Sequence, residues 1–194
     1  MKYFFLSAAV GIAISAGGQN WTKQYDHVDQ CICGLSVVGK GDKHGYVDKD
    51  GKLVVPLIYD EAMAFSERYA AVKQDGKWGY LDSTGKLAIP LQFNDAMSFH
   101  TNRAVVNNGS GYGFIDTAGK VIIPFQYENA LSFSEELAAV NKNGLWGYVN
   151  LNGKEVIAFT FSFAGSFMEG QAKVLGGGKW LVIDKTGKKI SEAE

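Results

Sequence analysis

Chemistry in this chain has to come from a short list of side chains. The histidines are His27, His44 and His100, and a general base or metal ligand needs a partner that converges on it. No two of them share a helix face or a metal-binding interval. The cysteines, Cys31 and Cys33, stand in QCICG. Residues i and i+2 of a strand point the same way, with Cα atoms near the upper limit for a bridge, so the pair reads as free and buried or half-buried. Zinc wants four ligands, and nothing completes that set. The stretch DKDGK, Asp48 to Lys52, alternates carboxylates as a calcium loop does. Its sister stretches DSTGK and DTAGK lose the second acid, and the bidentate glutamate of a calcium loop is missing. No G-x-S-x-G elbow, P-loop or dinucleotide fingerprint occurs. The expectation is therefore no enzyme, with no catalytic residue, no metal and no cofactor.

One constellation with binding chemistry remains. His44, Trp78, Tyr112, Trp146 and Trp180 recur every 34 residues. If the units stack, these rings form a column, and an exposed ring column binds sugars or extended peptides by stacking and apolar contact. Buried, the same column is core, the commoner fate of large aromatics. Exposure of Trp78 and Trp146 would favour the sugar reading.

The elements that position these rings follow from the same period. A glycine follows the ring at Gly45, Gly79, Gly113 and Gly147, and a second glycine recurs at Gly51, Gly85, Gly119, Gly153 and Gly187, each trailed by lysine. The three prolines, Pro56, Pro90 and Pro124, share one column. Five repeats, 25–58, 59–92, 93–126, 127–160 and 161–194, run without insertion or deletion. Each reads as three short strands, such as YAAVK, WGYLD and KLAIP in the second repeat. Between the second and third strands, Asp82 and Gly85 with their counterparts fit a type I turn closing on a left-handed glycine, with the following lysine in solvent. The glycine after the ring is a close-packing device, matched by Ala70, Ala104 and Ala138 on the neighbouring strand. The longer connections carry aromatic, alanine and phenylalanine columns that should pack between successive sheets. Cys31 stands in the phenylalanine column and is expected in the core.

Those residues resemble the WG-repeat family of WG-containing beta repeats. The resemblance rests on KWGYLDSTGK, GYGFIDTAGK and GLWGYVNLNGK, with YDEAMAFSE and LAAVNKNG. It implies bacterial proteins, often exported, built of tandem beta units, with no family catalytic residues to carry over.

The expected fold is all-β: five tandem three-stranded antiparallel meanders, stacked as an open solenoid-like array. The alternative is a five-bladed propeller-like ring, since five whole units fit without remainder. Residues 1–18 have the form of a signal peptide, Lys2 followed by an uncharged run and small residues, with 19–24 as lead-in. A buried N-terminal strand is the competing reading, because Gly11 and Gly17 keep the register of the repeat. The apolar run is too short for a transmembrane helix, so the mature chain is expected to lack a span. Nineteen basic against twenty acidic residues, net −1, argue against nucleic acid or an anionic membrane surface as partner. The function expected is an exported scaffold, periplasmic, outer-surface or secreted, that binds another protein or a cell-envelope component. A carbohydrate-binding array is the alternative, and an enzyme the least favoured reading.

Overall fold

In a computed structural model, the chain is described over residues 20–192. A 3-10 turn, Asn20–Gln24, precedes twenty strands, β1 to β20, which form five antiparallel sheets of four. The second sheet shows the pattern: β5 (Glu61–Ala62), β6 (Tyr69–Gln74), β7 (Lys77–Asp82) and β8 (Leu87–Phe93), in that order. The others are β1–β4 (27–59), β9–β12 (95–127), β13–β16 (129–161) and β17–β20 (163–192). The three-stranded expectation is therefore corrected to four. The connection after the aromatic column contributes a two-residue edge strand, with Glu61 opposite Lys73 and Ala62 opposite Val72. The candidate signal peptide, residues 1–18, lies outside the described residues.

The turns follow from their residues. Asp48, Asp82, Asp116, Asn150 and Asp184 each accept two backbone N–H groups two and four residues on; for Asp82 these come from Thr84 and Lys86, at 2.8 and 3.2 Å. The glycine closing each turn is left-handed, φ 81° at Gly85, and its N–H donates to the backbone carbonyl of the turn's Asp or Asn. The lysines that follow are exposed.

The glycine after the ring meets backbone. A Cβ on Gly79 would lie 2.5 Å from the carbonyl oxygen of Ile89 and 2.8 Å from the carbonyl carbon of Pro90. The cause is a bulge: Trp78 pairs Phe93 and Tyr80 pairs Ile89, so one residue on β7 faces three on β8. In the last sheet Leu181 replaces the glycine, and Leu181–Glu192 and Val182–Ser191 pair in unbroken register.

Burial runs along whole strands because each inner sheet is covered on both faces. Trp78 and Tyr80 face the third sheet with Phe99 and Ile115, while Leu81 faces the first sheet with Tyr46 and Val55. Four cores join consecutive sheets. Each interface has a ring contact at its centre, such as Tyr80 against Phe99 at 4.9 Å or Tyr148 against Phe167 at 4.8 Å. Full burial of one such phenylalanine contributes about 2–3 kcal/mol. Three tyrosines also donate across the interface: Tyr46 to the Met63 carbonyl, Tyr80 to Met97 and Tyr148 to Gly165, at 2.7–2.8 Å. The outer face of the fifth sheet differs. Gln171, Lys173, Val182 and Ser191 hold the places that Leu137, Ala139, Tyr148 and Ile157 hold in the fourth, and all but the half-buried Val182 are exposed.

Candidate functional site

The ring column is not an exposed ladder. Trp78 and Trp146 are 4% and 8% exposed and belong to inter-sheet cores. Their covers are cross-strand aromatics, Phe93 opposite Trp78 and Phe161 opposite Trp146. Lys73 also lies over the Trp78 ring at 5.6 Å. Tyr112, half-buried opposite Tyr127, donates its hydroxyl to Asp95 at 2.8 Å. Burial first, and that carboxylate second, push its phenol up to about 12. His44, opposite Tyr59, has Nδ1 3.1 Å from the carbonyl oxygen of Asp60. Only Trp180 breaks the pattern, 43% exposed, with no aromatic opposite it among the described residues. Phe163, also exposed, stands between Trp146 and Trp180 with ring centroids 5.8 and 5.7 Å away.

The other polar candidates do not converge. His27 pairs with Asp29 at 2.7 Å on the surface, and exposed His100 stands in a tight turn two sheets away. Cys31 and Cys33 are free and both exposed, which corrects the core expectation. A phenylalanine in that column is buried by the tyrosine or phenylalanine of the preceding sheet, as Phe65 is by Tyr46. No such ring precedes Cys31 among the described residues. Cys33 occupies a left-handed turn position, φ 55°.

Two sets of acids escaped the sequence reading. Asp26, Asp60 and Glu128 each accept a backbone N–H from the first hairpin turn of their own sheet, donated by Gly41, Asp75 and Gly144 at 2.8–3.1 Å. A column of Asp, Asp, Asn and Glu at 26, 60, 94 and 128, directly after the aromatic column, was the available signal. A second pair couples neighbouring sheets. Glu67 accepts the N–H groups of Thr101 and Asn102 at 2.6 and 2.7 Å, and Glu135 that of Gly170 at 3.1 Å. Glu67–Arg68, Thr101–Asn102 and Glu135–Glu136 all have positive φ, so these turns expose adjacent N–H groups to a carboxylate.

The concavities are shallow and sit beside loops. One of about 400 Å³ lies between the Glu67–Arg68 turn and the Asp82–Thr84 turn, with Asn102 and Thr117 from the third sheet. Two others flank the hairpin of the third sheet, where the four-residue loop 108–111 replaces the usual two-residue turn.

Tandem antiparallel four-stranded sheets, each seated on the next, define a blade-repeat protein. The family described as WG containing repeat matches residues 45–78, 78–111, 112–146 and 146–180, and the chain belongs to it. No protein with a curated function matches. Among solved structures the chain is similar to Hsv2 of Kluyveromyces lactis (complete loop 6CD), at 12% identity and TM-score 0.54, covering 82% of this chain and 59% of that one. It is similar to Hsv2 of Kluyveromyces marxianus, at 12% identity and TM-score 0.55, covering 82% and 58%. A eukaryotic initiation factor gives 11% identity and TM-score 0.53, covering 83% and 52%. These neighbours are β-propellers, so the sheets are propeller-type blades, and the chain spans under two thirds of each neighbour's length.

Proposed function

We propose that the chain is a non-catalytic scaffold that is exported and binds a protein or cell-envelope component, built as an open run of five blades. The observation that carries the scaffold reading is where its recurrent polar groups are spent. The turn acids hold their own backbone, Glu67 and Glu135 hold the next sheet, and the tyrosine hydroxyls bond the following blade. What is left to recognise a partner is the surface between repeats. The open arrangement is favoured by the polar outer face of the fifth sheet, since a ring would need an apolar one against the first. Export rests on Lys2 and the uncharged run after it. The test is retention of envelope fractions by the immobilised full chain, before and after protease treatment of the fraction. Retention lost on proteolysis supports a protein partner; no retention of any fraction overturns the reading.

A second reading, sugar binding, is narrowed to one place. The exposed pair Trp180 and Phe163 offers ring faces that the rest of the column does not. Retention that survives protease and is competed by a soluble glycan, and that Trp180→Ala removes, would select it.

A further inference from the structure

At the junction of the first and second sheets, Lys43 reaches over the end of its own strand, and its Nζ lies 2.5 Å from Oδ1 of Asp60. At the next junction Lys77 repeats the reach, 2.5 Å from Oδ1 of Asn94. At the fourth junction the column changes together, to Leu145 and Ser162. At the third junction it changes on one side only. The acceptor is kept, as Glu128, but glycine, Gly111, stands where the lysine should be.

A cleft of about 340 Å³ opens there, lined by Asn107, Ser110, Gly111, Gln126, Tyr127 and Glu128. A Cβ on Gly111 would lie 3.0 Å from the carbonyl oxygen of Tyr127, so this position takes no side chain without a backbone shift, and the cleft is left to a group from outside the chain. Glu128 uses Oε2 to hold the Gly144 N–H at 3.1 Å, and it has no ion-pair partner among the described residues. Asn107, Ser110 and Gln126, which also line the cleft, are polar, and the carbonyl oxygen of Tyr127 lies beside Gly111.

We infer that the Gly111 cleft is a binding site for a primary alkylammonium group, which enters as the chain's own lysines do at the two preceding junctions. The molecule displays the occupant twice: a four-carbon stem ending in an ammonium that meets the acceptor of the next sheet. An ammonium suits this site because it is a compact cation with three donors, and carboxylate, amide and carbonyl oxygens surround the cleft. The source is either a small amine or a lysine side chain on another protein. The inference goes beyond the scaffold reading and stands or falls without it.

The test uses the full chain at 150 mM salt, with amide chemical shifts of Gly109, Ser110, Gly111 and Gly144 as readout. The probes are Nα-acetyl-lysine amide, its norleucine counterpart, and a five-residue Ser/Thr peptide with a central lysine. Saturable shifts are expected with both lysine probes and none with norleucine. Glu128→Gln keeps an oxygen for the Gly144 N–H and removes the charge, and should weaken binding about tenfold, while Glu169→Gln leaves it unchanged. Equal affinity of amide and peptide assigns the site to the amine group alone, whereas a tenfold tighter peptide assigns it to a protein-borne lysine. Shifts that norleucine reproduces, shifts that Glu128→Gln leaves intact, or no shifts with either lysine probe would overturn the inference.

Discussion

The indole of Trp21 lies against Gly51, in the place that Val55 takes against Gly85 one repeat later. Ile89 over Gly119, Ile123 over Gly153 and Ile157 over Gly187 continue the series. Trp21 thus acts as the last apolar residue of a repeat that precedes the first sheet. In the fifth repeat Ser191 holds the isoleucine column. Trp21→Ala should cost about 2 kcal/mol, the worth of a large side chain's burial. In the open run of blades proposed above, that loss is local. Hydrogen exchange should show strands β2 (Leu35–Lys40) and β3 (Lys43–Asp48) losing protection while β14 (Leu137–Lys142) keeps it. Uniform loss across all five sheets would refute this local role for Trp21.

Gly79 and Leu181 occupy one column but meet different partners. A side chain at 79 runs into the Ile89 carbonyl, whereas β20 (Lys189–Glu192) keeps its register beside Leu181 and leaves room. Gly79→Ala should therefore destabilise by about 3 kcal/mol, near the upper end for a single change. Leu181→Ala should cost about 1 kcal/mol, because that leucine is only half-buried. Urea midpoints at unchanged slope would measure both. Equal losses would show that the bulge does not set the glycine.

How much of this was legible depended on periodicity. The fixed period of the glycines gave the repeat, and Asp82 to Gly85 gave the turn, because each residue there answers to one local backbone need. The edge strand Glu61–Ala62 was hidden, since two residues are too few to carry an alternation. The third strand reads as KLAIP, stopping at Pro90. In fact β8 continues past it, with residues 90–92 bulging out of the ladder. Cys31 was misplaced because a repeat column predicts burial only where the neighbour that covers it exists, and the same dependence decides which rings of the Trp78 and Trp180 column are covered. The Gly111 cleft was invisible for the opposite reason, since an absent side chain leaves no motif.

Acid should loosen one contact between blades and two turns within them. Glu135 is held below the ordinary glutamate range by the Lys185 ammonium, 3.1 Å away, and then by the Gly170 N–H. The hydroxyls of Thr84 and Thr186 do the same, ahead of backbone N–H groups, for Asp82 and Asp184. A carboxyl whose pKa falls on folding contributes stability above its unfolded value and loses it as pH falls through the folded one. Stability should hold down to about pH 4–5 and decline below it. Glu135→Gln should flatten part of that acid limb and leave neutral-pH stability slightly lower. Identical acid limbs in urea titrations of both proteins would count against this.

The tryptophans separate by solvent contact, which gives an optical test of the column. Trp78 and Trp146 are core, and Trp180 stands at the edge with one side open. Acrylamide should quench the folded chain in two components, an accessible red-shifted fraction and a protected blue one. Trp180→Phe should remove most of the accessible fraction, leaving Trp21, which is half-buried against Gly51. Trp78→Phe should instead lower the protected fraction and cost about 1–2 kcal/mol, as a large-to-smaller change within a packed core does. Should Trp180→Phe leave the quenching curve unchanged, the ring is covered in solution and the sugar reading loses its remaining surface. A glycan that shields Trp180 in the wild-type chain, and does nothing to Trp180→Phe, would make that edge a binding site.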